Sequence, residues 1–190
     1  MTATCAAIVL SGGASRRLGG TDKASLRVGG ASLLDHALAA AAPYAPSVVV
    51  GPATEDHPGV SYTRENPPGG GPVAGIAAGL EALDTDTPFV LVMACDMPRA
   101  ITALPALVTA ADTAAGDGAW AVDAGGRTQP LLAVYRRDSL VRGLAGLGDA
   151  HGASMRALTA DLIMIEVPVG DAARDADTWD DVRALREEIR

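Results

Sequence analysis

Apolar residues recur along this chain in two patterns. Short unbroken runs at residues 6–10 and 88–96 ("PFVLVMACD") read as strands buried on both faces. Stretches of helical composition alternate with them. Residues 32–42 predict a helix stopped by Pro43, and Pro72 suits the first turn of another that reaches about Leu83. Residues 101–111, 139–147, 154–159 and 178–189 read as further helices. Residues 48–50, 59–63 and 162–167 read as strands, and 119–122 and 131–135 as two more around a turn at Gly125 and Gly126. Strands alternating with helices predict an α/β fold, a mostly parallel central sheet covered on both faces, in three layers. Ligands of such sheets bind beyond the carboxyl ends of the strands. A glycine-rich stretch after Leu10 and the acid Asp96 both fall at such ends.

Composition narrows the picture. At 190 residues the chain is read as one domain. Hydrophobic residues make up 48% but aromatics only 3%, so Ala, Val, Leu and Ile must build the core. There is no internal repeat or low-complexity linker. No signal-peptide pattern and no apolar run long enough for a bilayer stands in the sequence, so a cytoplasmic location and no membrane partner are expected. A net charge of −8 argues against a nucleic-acid partner, which needs a basic face. It does not exclude a small anion, because a local patch can oppose the global sign. Cys5 and Cys95 form no metal or redox motif and are expected to be reduced and buried. The three histidines lack metal spacing, and no Ser–His–Asp or Cys–His arrangement stands out.

The stretch "VLSGGASRRLGGTDKASL" concentrates the chemistry. Arg16, Arg17, Lys23 and Arg27 surround four glycines, and Asp22 is the one acid before Asp35. Residues 1–34 therefore carry net +3 in a chain of net −8. Lys23 is also the single lysine of the chain. Glycines let the backbone approach a ligand, and successive N–H groups form an anion-binding concavity. The loop is read as a holder of phosphates. It fits neither the P-loop, since Asp22 precedes Lys23, nor the dinucleotide fingerprint, since Ala14 and Ser15 stand where a second glycine is required. Read from its residues alone, Asp96 ends a buried strand and could cap a helix after Pro98.

"LSGGASRRLGGTDK" resembles the L-x-G-G-x-x-x-R-M-G-x-x-D-K signature of the molybdenum cofactor guanylyltransferases, within the nucleotidyltransferases of glycosyltransferase-A-like fold. "NPPGGGPVAGI", "MACDMP", "GRTQPLLAVY" and "DADTWDDV" resemble the family's further blocks, in order. The resemblance implies a Rossmann-like nucleotidyltransferase domain over residues 1–190, its nucleotide-binding half about 1–115 and its acceptor half about 116–190. It implies an enzyme that transfers GMP from GTP to the terminal phosphate of molybdopterin, releasing pyrophosphate, with Mg²⁺ as cofactor. By the same resemblance Leu10, Ser11 and Gly12 meet the base and ribose, Gly13 opens the phosphate cradle, and Arg17 and Lys23 contact the triphosphate. Arg16 is a weaker candidate, and Leu18 replaces the usual Met. Asp96 holds the metal, with Asp177 either a second ligand or, like Thr178, a helix cap. Asn66, with Gly71, forms the base-side wall; it stands where the family commonly has Asp, and Glu65 is the neighbouring alternative. Gly71 and Gly75 are read as allowing close approach of backbone or helix. Gln129 and Pro130 lie near the acceptor or simply enter the sheet. Transient contact with molybdoenzymes or other proteins of cofactor biosynthesis is implied. The rival readings are a cytidylyltransferase of the same cofactor, a nucleotidyltransferase for another phosphorylated metabolite, and a non-catalytic nucleotide or cofactor carrier.

Overall fold

Fully apolar strands form the middle of the sheet in the computed structural model, which describes residues 4–12, 22–54, 57 and 59–189. β1 (Cys5–Leu10) is buried at every position. It pairs in parallel with β4 (Ser47–Val50) on one side and β6 (Phe89–Ala94) on the other, and β5 (Ser61–Thr63) extends the β4 edge, also in parallel. β8 (Thr128–Arg136) runs antiparallel between β6 and β7 (Gly118–Asp123), and β9 (Met164–Gly170) closes the far edge parallel to β7. The order across the seven strands is β5-β4-β1-β6-β8-β7-β9, and β2 (Arg27–Val28) with β3 (Ala31–Ser32) forms a separate small hairpin.

The period-2 rule of strands divides β1 between two cores. Cys5, Ala7 and Val9 face α1 (Leu33–Ala41) and α3 (Leu104–Thr113), while Ala6, Ile8 and Leu10 face α2 (Gly71–Ala82), α4 (Arg137–Leu147) and α5 (Met155–Leu158). Full burial of a side chain such as Ile8 or Leu91 contributes about 1.5–3 kcal/mol. Gly79 fits here because a Cβ would lie 2.8 Å from Ile8 Cγ2, so α2 settles directly on β1. A third, smaller core joins the hairpin to α6 (Trp179–Glu188) through Leu26, Val28, Leu33, Ala176, Val182 and Leu185. The expected three-layer α/β/α architecture is observed, with β8 as the reversed strand.

Several boundaries move for identifiable reasons. Ser32 and Thr178 stand just outside their helices as N-caps, each in a capping box, with Asp35 and Asp181 respectively. The strand expected to end at Asp96 stops at Ala94, and the helix expected over 101–111 begins as a 3₁₀ turn at Ala100–Thr102 before α3. The β2–β3 hairpin was not legible as strands, being only two residues on each side. Pro130 is tolerated inside β8 because the register shifts between Trp120 and Ala121 of the neighbouring strand, where a proline without N–H breaks no ladder bond. Cys5 and Cys95 are free and buried, and burial pushes each thiol up to about 12. Among the described residues no helix is long and apolar enough to cross a membrane.

Candidate active site

The carboxyl ends of β1 and β6 lie side by side, tied by the Cys95 N–H donating to the Leu10 carbonyl at 3.0 Å. Asp96 follows two residues after β6. A second crossing brings the C-terminal segment to it: the Ala176 N–H donates to the Asp96 carbonyl at 3.0 Å, which sets Asp177 beside the same turn. Lys23 arrives from the other direction, on a 3₁₀ turn over Lys23–Ser25 capped by Asp22, whose carboxylate accepts from the Ala24 N–H at 3.1 Å. Its ammonium donates to Asp96 Oδ2 at 2.6 Å and to Asp177 Oδ1 at 2.5 Å. Residues 73 and 154 positions apart thus meet at one nitrogen.

The electrostatics are those of a cation held between acids. Burial alone would lower the Lys23 ammonium, but the charge of Asp96 and hydrogen bonds to Asp177 and Asp96 carry it above the ordinary lysine value. Asp175 is raised by desolvation first and then by the neighbouring charges of Asp177 and Asp96. The cap reading of both acids gives way here. Neither the 3₁₀ turn after Asp96 nor α3 has a side-chain cap, and α6 is capped by Thr178. Both carboxylates face Lys23 instead.

The donor set fits Mg²⁺. Asp96 Oδ1 is buried with no hydrogen-bond partner, an acceptor that nothing in the described protein satisfies. Asp96 and Asp177 supply hard oxygens, and among the described residues no group of three or more His, Cys, Asp or Glu could hold a metal alone. Two carboxylates completed by phosphate oxygens and water are the usual shell of this ion.

Just beyond β1, the Leu10 carbonyl is occupied by Cys95, while the Ser11 N–H and hydroxyl donate to the Val50 carbonyl at 2.9 and 3.3 Å. Gly12 is exposed, and the nearest atom to a Cβ there would be the Val50 carbonyl oxygen at 4.0 Å. Asn66 is exposed on the loop before α2. Glu65 accepts from the Gly69 N–H at 2.9 Å and so shapes that loop. Gly71 is needed for its φ of +84°, whereas Gly75 is needed for closeness: a Cβ would sit 3.2 Å from Leu10 Cδ2. Sequence reasoning missed His151 and Gly152 here. The Gly152 N–H donates to the Gly70 carbonyl at 2.8 Å, and His151 packs so tightly that a Cβ on Gly70 would lie 2.7 Å from its Nδ1. No spacing signal could have linked positions so far apart.

Gln129 lies in β8, where its amide donates to Asp123 Oδ2 at 2.9 Å and fastens the β7–β8 turn. The carbonyl of Pro130 accepts from the Tyr135 hydroxyl at 2.7 Å. Gly13, Arg16, Arg17 and Leu18 lie outside the described residues.

A lysine held between two acids beyond the carboxyl ends of β1 and β6, on a mixed sheet with one reversed strand, is the arrangement of a nucleotidyltransferase-like site. Comparison with known proteins agrees. Residues 7–165 match the model of the MobA-like NTP transferase domain, and the chain belongs to that family. It is 38% identical over 142 residues to a probable molybdenum cofactor guanylyltransferase of Chloroflexus aggregans, covering 70% of this chain and 66%, about two thirds, of that protein. It is 33% identical over 192 residues to the molybdenum cofactor guanylyltransferase of Cupriavidus taiwanensis, covering 93% of this chain and 94% of that one. The fold is shared with the Mycobacterium tuberculosis protein Rv0371C crystallised with manganese, at a TM-score of 0.70 and 17% identity, covering 98% of this chain and 100% of that chain.

Proposed function

We propose that the protein is a molybdenum cofactor guanylyltransferase, which transfers GMP from GTP to the terminal phosphate of molybdopterin. An oxygen of that phosphate attacks the α-phosphorus of GTP. The bond from the α-phosphorus to the oxygen bridging to the β-phosphate breaks, and pyrophosphate leaves with the electron pair. A phosphoanhydride forms in its place. The attacking oxygen is already ionised, so the reaction needs positioning and charge neutralisation more than a strong base.

The meeting of Lys23, Asp96 and Asp177 at the ends of β1 and β6 carries this reading. Lys23 is a compact charge that can exchange a carboxylate for a phosphate oxygen, and its turn follows directly on the glycine-rich stretch. Asp96, with Asp177 beside it, would hold Mg²⁺. When bound, that ion neutralises phosphate charge and favours departure of pyrophosphate. By the family resemblance, Gly13 and Arg17 would contact the phosphates as well. Gly12, preceded by Leu10 and Ser11, would offer the backbone edge for the base, with Asn66 and Gly71 as the base-side wall the resemblance implies. Residues to about 115 bind the nucleotide, and those from about 116 receive the acceptor. By the same reading the protein acts in the cytoplasm and passes its product to molybdoenzymes by transient contact.

The test is direct. Purified protein is incubated with Mg²⁺, each NTP and molybdopterin, and pyrophosphate is measured. Release with GTP and not CTP is expected. Preference for CTP would move the protein to the cytidylyl reading, and tight GTP binding without release would make it a carrier.

A further inference from the structure

The last turn of α6 touches three segments at once, and each is a fixed short step from a charged site residue. Arg186 Nε donates to the Arg27 carbonyl at 2.8 Å, four residues after Lys23. Glu188 accepts from Arg99 Nη1 at 2.9 Å, three residues after Asp96. The same carboxylate accepts from Arg174 Nη1 at 2.9 Å, three residues before Asp177. Ile189 then closes on the β2–β3 turn: a Cβ on Gly29 would lie 2.6 Å from Ile189 Cγ2 and 2.8 Å from its carbonyl oxygen. All of these contacts come from a segment beyond the 7–165 family match.

We infer that the C-terminal turn of α6 is a positioning clasp for the reaction, with Glu188 as the residue that holds the Asp96 and Asp177 turns in register with Lys23. The inference rests on the reading of those three residues as the phosphate and metal cradle. Glu188 touches none of the reacting groups and is a positioning residue only. Its ion pairs are 34–40% exposed at each partner, so they add little to global stability. Their effect is geometric. One carboxylate shared by two arginines fixes the separation of two turns, and misplacement of reacting groups by about 1 Å can cost on the order of 10²-fold in rate.

The single lysine supplies a readout independent of turnover. In the nucleotide-free protein, the acylation rate of Lys23 by an amine-selective ester is followed by peptide mass spectrometry, which separates it from the terminal amine. A lysine locked between two carboxylates reacts slowly. Glu188→Ala is expected to raise the Lys23 rate several-fold and to lower kcat for GTP-dependent pyrophosphate release by about tenfold, with the melting midpoint nearly unchanged. Glu188→Asp, keeping the charge, is expected to restore part of both. Wild-type Lys23 reactivity and kcat in Glu188→Ala would overturn the inference, as would changes that appear only alongside a collapsed melting transition. Should Glu188→Ala fail to fold, Arg174→Ala with Arg174→Lys decides by the same criteria. Failure of the functional reading looks different: wild-type protein would release no pyrophosphate, whatever the reactivity of Lys23.

Discussion

The two ends of the sheet order treat their polar groups in opposite ways. In the half built from β5, β4, β1 and β6, the central strands β1 and β6 are apolar along their length, and charged groups gather beyond their carboxyl ends. There Asp96 keeps a buried oxygen without a partner, and Lys23 balances two acids. In the half built from β8, β7 and β9, polar side chains secure the fold itself. Asp123 receives Gln129, Arg127 and two backbone N–H groups of its own turn. Asp117 receives the Ser139 hydroxyl and the Ile163 N–H, which hold its carboxyl below the usual range. A buried carboxylate oxygen left open beside a lysine marks chemistry, whereas carboxylates engaged by their own turns and neighbouring strands mark architecture.

The sharpest way to break that contrast is at the charged triad. Lys23→Ala and Asp96→Asn are each expected to lower transfer on the order of 10³-fold, comparable to loss of a principal electrostatic group. Both should leave the circular dichroism spectrum intact, since the residues lie on turns rather than in a core. Near wild-type pyrophosphate release by either variant would place the chemistry elsewhere.

Next comes the hairpin behind the triad. Gly29 has φ +56° and no room for a Cβ against Ile189. Gly29→Ala should cost roughly 1–3 kcal/mol in urea unfolding, through overpacking and an unfavourable backbone. Transfer should fall with it. Tolerance of the alanine would mean the third core is looser than its contacts indicate.

A smaller effect is expected in the other half. Gln129→Ala should lower the melting midpoint by about 2 °C and leave the acceptor KM within twofold, because the amide is committed to Asp123. A large rise in acceptor KM at unchanged stability would make Gln129 a substrate contact and erase the contrast.

The smallest effect concerns acid. Hydrogen bonds from His57 and from Ser32 hold Asp35 at about 2. A depressed carboxyl contributes stability that is full above the unfolded value near about 3.9 and is lost as pH falls through the folded one. The melting midpoints of wild type and Asp35→Asn should therefore differ slightly at pH 6 and converge toward pH 2. The Asp35 side chain is 42% exposed, which keeps the difference small. A gap that widened on acidification would reverse the assignment.

What was legible in the sequence follows the same division. Uninterrupted apolar runs and prolines located β1, β4, β6 and α2, because full burial leaves a simple signature. The excess positive charge and the single lysine marked the phosphate side. Asp177 stayed ambiguous because an acid before a helix reads equally well as a cap. Only the capping box at Thr178, seen in three dimensions, frees it for Lys23. Glu188, Arg99 and Arg174 were invisible, since nothing local distinguishes a surface ion pair from a shared one. Gln129 could not be settled from its strand alone: its partner lies across a turn.

The Lys23–Asp177 contact closes a loop of 154 residues. Contacts so distant in the chain are slow to form and come late. As the polypeptide is synthesised, Lys23 emerges long before the acid that completes its pairing. A growing chain can therefore assemble the central strands while its charged centre is still missing one wall. Until Asp177 has been made, Lys23 lacks one of the two carboxylates that hold it.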